Sequence, residues 1–168
     1  ASCIGDSQLA VQDWGLDAPI IDQFATLRSG LIGEFDKPSP EAVEVAVRLY
    51  LFLGFGREVR QLLQVMESKT ADRSLWETMA RVLDDESQDE GAFAEMEACD
   101  TAAALWSVLA RPNLPLSARP NLGAVQRSFS ALPLHLRHTL GPGLVERLVR
   151  HGDEAAARAI GDAILRAP

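Results

Sequence analysis

Lysine is almost absent from this chain: Lys37 and Lys69 are the only two among sixteen basic residues, and the rest are Arg. The skew reads as GC-rich, bacterial coding and carries no mechanism. Basic residues of either kind are outnumbered, since 24 Asp and Glu leave a net charge of −8. A nucleic-acid binder needs a basic face to replace phosphate counterions, and a protein that docks on anionic lipid needs one too. The charge argues against both. Long apolar runs are missing as well. The strongest, Leu49 to Leu53, falls far short of the ~20 residues that span a bilayer, so no membrane insertion is expected. No charged stretch leading into an apolar core precedes the body, so no signal peptide is read. Alternation of period two between turn signals is also missing, and no strand is expected.

Cysteine is scarce but even in number: Cys3 and Cys99. Paired cysteines belong to oxidising compartments, whereas a cytoplasmic protein keeps its thiols reduced. A Cys3–Cys99 disulfide is the expectation, because it would tie down a terminus that otherwise frays. In the chain-entropy picture, closing so long a loop is worth ~4–5 kcal/mol. Two unrelated thiols, with Cys99 a small core residue, are the alternative. The pairing implies a periplasmic or secreted protein, and free thiols a cytoplasmic one.

What is present is helical pattern. Ser39-Pro40-Glu41 reads as an N-cap followed by a proline at the first helical position, where its missing N–H costs nothing. From Glu41 to Leu53 only Glu41, Glu44 and Arg48 are polar, so the helix is expected to be buried on most sides. Gly54 and Gly56 are read as its terminators. An amphipathic helix follows, with Val59, Leu62, Leu63 and Met66 on one face. This hairpin, Ser39 to Met66, is the centre of the architecture.

Around it the chain punctuates regularly. A short helix over Ser7–Trp14, capped by Asp6 or Ser7, precedes a helix opened by Ala18-Pro19 with apolar positions Ile20, Ile21, Phe24, Leu27, Leu31 and Ile32. A turn spans 33–40. Residues 68–74 read as a loop and Leu75–Leu83 as a short helix capped by Ser74 or Asp72. An acidic run from Asp84 to Glu90 follows, then a helical or irregular stretch from Ala92 to Cys99. Thr101–Ala110 is a helix with Asp100 as cap. Further helices are expected over Asn121–Leu132, Leu134–Leu140, Leu144–His151 and Glu154–Arg166, with Pro133 and Gly141-Pro142-Gly143 as breaks. The whole of 1–168 reads as one all-α domain of seven to nine helices in antiparallel hairpins, stacked as a short α-solenoid or as an irregular bundle. It begins Ala1-Ser2-Cys3 and stops just after a helix, as an excised segment of a longer protein would.

Two echoes bear on that choice. Leu75-Trp76-x-x-Met79-Ala80 returns as Leu105-Trp106-x-x-Leu109-Ala110, and Gly56-Arg57-Glu58-Val59 returns as Gly152-Asp153-Glu154-Ala155. The second pattern resembles the inter-helix corner of tetratricopeptide-like repeats over two hairpins, Glu41–Met66 and Leu144–Leu165. The regular 34-residue spacing and the other signature positions of that family do not accompany it. The resemblance implies a protein-binding α-solenoid without catalysis or cofactor.

Residues with chemical potential have bland readings at hand. His135 and His138 are spaced to share a helix face as metal ligands, but no Cys, Asp or Glu is near in sequence. His151 fits a helix C-terminus, where a cation complements the dipole. The run Asp84–Glu90 lacks the Gly that a calcium loop needs at its sixth position. Glu67-Ser68 and Glu86-Ser87 are similar to the Glu-Ser dipeptide of lytic transglycosylases, without that family's surrounding motif. Gly54-Phe55-Gly56-Arg57 lacks the Lys and preceding strand of a phosphate loop. No catalytic residue, metal site or cofactor is assigned. Trp76 and Trp106 are read as core, and Trp14 as a partner-binding aromatic.

The function expected is a non-enzymatic scaffold or interaction domain of a larger bacterial envelope protein, binding a protein, a peptide or the remainder of its own chain. A small-molecule-binding or hydrolytic pocket between hairpins is the alternative. Intact-mass measurement with alkylation tests the pairing: neither thiol should be blocked until reductant is added, and two blocked thiols in the unreduced protein would refute it.

Overall fold

Gly54 and Gly152, read from the sequence as marking the corners between helices, sit at helix ends in the structure, and Asn121, expected inside a helix, is an N-cap. In the computed structural model, residues 2–15, 40–65 and 71–166 are described. The expected helix over 18–32, the turn after it, the Ser39 cap, and Met66 to Thr70 lie outside them. Among the described residues seven α-helices and no strand occur: α1 Pro40–Leu53, α2 Gly56–Val65, α3 Ala71–Leu83, α4 Ala103–Ala110, α5 Leu122–Ala131, α6 Leu134–His151 and α7 Glu154–Leu165. The chain is all-α, an irregular helical bundle. No described helix is long and apolar enough to cross a membrane.

The first three helices pack in succession, α1 on α2 and α2 on α3, while α6 and α7 form the most extensive pair. Between them lies α4, touching α3, α5 and α6. The apolar character of α1 has the expected consequence. Val43, Val47 and Leu51 enter the main core, and Ala46 and Leu49 are buried in a second cluster. Trp76 and Trp106 are each 1% exposed and belong to the main core.

Several boundaries differ from the sequence expectation, each for a physical reason. Gly54 ends α1 with φ +84°, but Gly56 opens α2 and is buried against the carbonyl of Ala80, where a side chain would not fit. Helix α3 begins at Ala71 rather than Leu75, because no breaker interrupts Ala71 to Ser74. Residues Ser7–Trp14 make two 3₁₀ turns, Asp6–Gln8 and Val11–Asp13, instead of an α-helix. The stretch after the acidic run carries only a 3₁₀ turn, Gly91–Phe93.

The expected break at Gly141-Pro142-Gly143 is absent, and α6 runs unbroken from Leu134 to His151 with Pro142 inside it. Proline at this point removes the N–H that would bond the His138 carbonyl. Both Pro142 and His138 are exposed, so water can take that carbonyl. On the inner side Gly141 is buried so closely against Ile164 that an added Cβ would collide with it, with Phe129 also close, which seats the helix tightly on α7.

Arg137, on the buried side of α6, is 3% exposed and bonds to carbonyls, with no carboxylate partner among the described residues. Its Nε donates to the Leu132 carbonyl at 3.1 Å, and one terminal nitrogen donates to the Ala163 and Arg166 carbonyls at 2.5 and 2.7 Å. Leu132 is the C-cap of α5 and Arg166 that of α7. A single guanidinium therefore closes the C-termini of two helices, where unpaired carbonyls and the negative dipole end favour a cation. Arg137→Met should lower the unfolding free energy by about 2–4 kcal/mol in urea denaturation, since charge-assisted bonds to buried acceptors are lost. Arg137→Lys should recover only part of this, because one ammonium cannot reproduce the fork. A loss below about 0.5 kcal/mol for Arg137→Met would show the carbonyls do not depend on it.

Candidate functional site

Leu9 and Val11 are two residues apart, a spacing that cannot place both on one α-helical face. The chain solves this with an inverse γ-turn at Ala10, φ −77° and ψ 60°, closed by a 2.8 Å bond from the Val11 N–H to the Leu9 carbonyl. Both side chains are buried, at 2% and 0% exposure. Residues 2–15 thus form a strap of two 3₁₀ turns joined by a γ-turn, seated in the helical body.

Its anchors converge on the N-terminus of α4. Thr101 Oγ1 donates to the Ile4 carbonyl at 2.7 Å, and the Ala102 N–H donates to Asp6 Oδ1 at 2.8 Å. Thr101 Oγ1 also accepts from the Ala103 N–H at 3.1 Å. Asp100, expected as the cap, instead pairs with Arg127 at 2.9 Å. The negative charge at the start of α4 is supplied by Asp6, from 96 residues away. Cys3 and Cys99 lie at disulfide distance, Sγ to Sγ 1.99 Å with Cα atoms 5.9 Å apart. Burying Leu9 and Val11 is worth about 3–6 kcal/mol, and Ile4 and Trp14, half-buried, pack on the same core.

Crevices run along both margins of the strap. One, of about 390 Å³, lies toward α4 and α5 and is lined by Asp6, Gln12, Leu105, Trp106 and Arg127 among others. The other, of about 320 Å³, lies toward α1 and α3 and is lined by Ser7, Gln8, Trp14, Arg48, Asp72 and Trp76. Arg48 stands 5.8 Å from the Trp76 ring centroid, a cation–π distance. Trp106 Nε1 is buried without a hydrogen-bond partner. Trp14, half-buried, packs on the core at the strap's end rather than standing clear of it.

A third concavity, of about 470 Å³, lies between the end of α3, the end of α4 and α6. Arg147 is its central charge, donating to the carbonyls of Arg111 at 2.7 Å, Gly143 at 2.9 Å and Leu109 at 3.3 Å. Burial pushes its pKa down, and the charges of Asp85 and Glu146 oppose that shift. Ser87 Oγ donates to the Leu109 carbonyl at 2.8 Å, and Arg150 pairs with Glu146 at 2.5 Å. Asp85 lines the same cleft with φ +56°, a left-handed conformation.

The other singled-out residues do not meet in a common site. His135 Nε2 donates to the Phe52 carbonyl at 2.5 Å and its ring stands edge-on to Phe52, while His138 is exposed. His151 bridges Asp153 at 2.6 Å and the Ala118 carbonyl at 3.1 Å. The acidic run is partly paired: Arg60 reaches Asp84 at 3.3 Å and Glu86 at 2.5 Å, and the Glu86 carboxylate is the main cause that holds the Arg60 pKa above its usual value. Glu90 holds Arg111 at 2.6 Å and also accepts the Glu95 N–H. Among the described residues no three His, Cys, Asp or Glu gather as metal ligands would. The strap, Arg147 and the left-handed Asp85 were not visible as site features in the sequence. The Leu9-x-Val11 spacing and the Cys3–Cys99 pair were the signals for the first.

No protein family matches this chain, and no curated protein or solved structure matches it either.

Three helices end in the same bonding pattern. The Phe55, Glu86 and Asp153 N–H groups reach back to the Tyr50, Arg81 and Leu148 carbonyls at 2.8 Å each, around Gly54, Asp85 and Gly152. This is the Schellman closure, which wants Gly at its left-handed position. Asp85→Gly should therefore raise stability by about 0.5–1 kcal/mol in chemical denaturation, relieving the left-handed strain of a non-glycine residue. An unchanged or lower stability would mean the Asp85 carboxylate offsets its strain through Arg147.

Proposed function

We propose that this chain is a non-enzymatic interaction domain of a larger bacterial envelope protein, working in an oxidising compartment, and that the crevice between the strap and α4–α5 is where it holds a protein segment. One observation carries the reading: a stretch of 3₁₀ turns outside any α-helix already lies against the helices, held by two buried aliphatic side chains and by a carboxylate on the α4 N-terminus. Grooves that accept extended segments in this way read side chains through pockets and fix the backbone through polar anchors. The Cys3–Cys99 distance supports a periplasmic or secreted location, because such pairs persist where thiols are oxidised. The tetratricopeptide-like corners belong to the same proposal, as a protein-binding helical array. The polar side chains of the α3–α6 cleft are committed to structural bonds, which favours binding over chemistry there.

A second reading, a small-molecule pocket, rests on Asp85 alone: a strained residue beside a desolvated arginine is a pattern found at ligand sites.

Site-specific photo-crosslinking in cells of the source organism separates the two. A crosslinker in place of Gln12, at the strap margin, should give adducts of discrete protein mass that disappear with Arg127→Glu and are absent from a control at Arg158. Adducts insensitive to Arg127→Glu, or none, would sink the interaction reading. A thermal shift by small metabolites that requires Asp85 would then favour the second.

A further inference from the structure

We propose that the concavity between α3, α4 and α6 binds a small zwitterion, an aliphatic amino acid whose carboxylate meets Arg147 and whose ammonium meets Asp85. This goes beyond the strap crevice. It rests on the small-molecule reading above and gives that reading a ligand class.

The charges of the cleft sort into a used pair and an unused one. Arg150 and Glu146 satisfy each other at 2.5 Å, and Arg150 also donates to Asn113 Oδ1 at 2.9 Å. Arg147 and Asp85 are left over, and among the described residues neither has an ion pair. A guanidinium carries five N–H donors. Carbonyls take three of those on Arg147, which leaves one on each terminal nitrogen. A carboxylate accepts two such donors. Burial already works against the bare Arg147 charge, so an arriving carboxylate would replace solvation that the fold has removed.

Across the cleft, Asp85 holds the left-handed position of the α3 closure at φ +56°, and its exposed carboxylate makes no hydrogen bond among the described residues. Ser87 Oγ, which donates to the Leu109 carbonyl, keeps its lone pairs for an ammonium beside it. A lone anion at Arg147 would meet the fields of Asp85 and Glu146, which already act on that side chain. A lone cation at Asp85 would meet Arg147. A molecule with opposite charges at separate ends offends neither.

The remaining walls select its body. Leu109, Leu140, Pro112 and Pro142 are apolar, and no aromatic side chain is among the described residues that line the cleft. An aliphatic chain has surface to cover there, while a planar base has nothing to stack on. The volume, about 470 Å³, is that of a small-ligand site.

L-Leucine is the probe, followed through the backbone amide shifts of the isotope-labelled folded chain. It should shift the amides of Asp85, Ser87 and Gly143 saturably, with Kd about 1 mM or tighter. Isocaproate, which lacks the ammonium, and isoamylamine, which lacks the carboxylate, should each bind at least about tenfold more weakly. Asp85→Asn removes the charge and keeps a residue type that tolerates the left-handed turn. It should weaken leucine about tenfold and leave isocaproate as tight or tighter, a pattern that loss of structure does not produce. No saturable shift by leucine up to about 20 mM overturns the site. Equal affinity for leucine and either half-ligand overturns the zwitterion, and leucine binding indifferent to Asp85→Asn overturns its ammonium end. Should leucine fail while another metabolite gives an Asp85-dependent thermal shift, the small-molecule reading stands and this ligand class falls. The Gln12 adduct is independent of all these outcomes.

Discussion

The arrangement of the last four helices depends on how their carbonyl ends are satisfied. A helix leaves four carbonyls unpaired at its C-terminus, and burying them without donors is unfavourable. Here the donors come from one helix. Arg137 of α6 closes α5 and α7, and Arg147, ten residues further along α6, closes α4 through Leu109 and Arg111. Arg137 bonds to carbonyls alone among the described residues, so its charge is balanced by the dipole ends of two helices rather than by an ion pair. The unbroken course of α6 follows from this constraint. A break at Pro142 would separate the two arginines and leave one set of helix ends unserved, so tertiary demand overrides the local preference for a turn.

That override explains which parts of the structure the sequence disclosed. Features set by local chemistry were legible: Gly54 and Gly152 between helices, both left-handed, and the burial of α1, Trp76 and Trp106. Features set by distant residues were not. Nothing near Arg137 distinguishes it from the exposed arginines, since its partners lie on two other helices. Asp100 has a cap's composition in a cap's position, yet Asp6 does that work from the far end of the chain. The Gly56 and Gly152 echo was out of register by two residues, because the matching left-handed closures are at Gly54 and Gly152. Asp85 occupies the same closure with a residue type that sequence patterns do not flag.

The groove was harder still. Trp14 was singled out as a contact residue, and it does line a crevice, but beside a strap whose identity depends on two aliphatic side chains in a polar stretch. Ser7–Trp14 read as a short helix, and the terminus at Cys3 as a frayed end, until the contacts of Leu9, Val11 and Asp6 are known. The cysteine pair pointed to the right place without saying what it holds there.

Helix α4 joins these two systems. It has only eight residues, too few to be stable in water alone, and all eight are buried. Its N-terminal amides are met by Asp6 and Thr101, its C-terminal carbonyls by Ser87 and Arg147. Neither end is closed within the helix. Helix α4 therefore persists only while the strap side and the α6 side both hold it, or while one holds it well enough for both. Burial of Leu105, Trp106, Val108 and Leu109, each worth about 1.5–3 kcal/mol, favours the second case. Asp6 and Thr101 then fix the first turn of a helix whose burial already holds it, while Arg147 fixes the last.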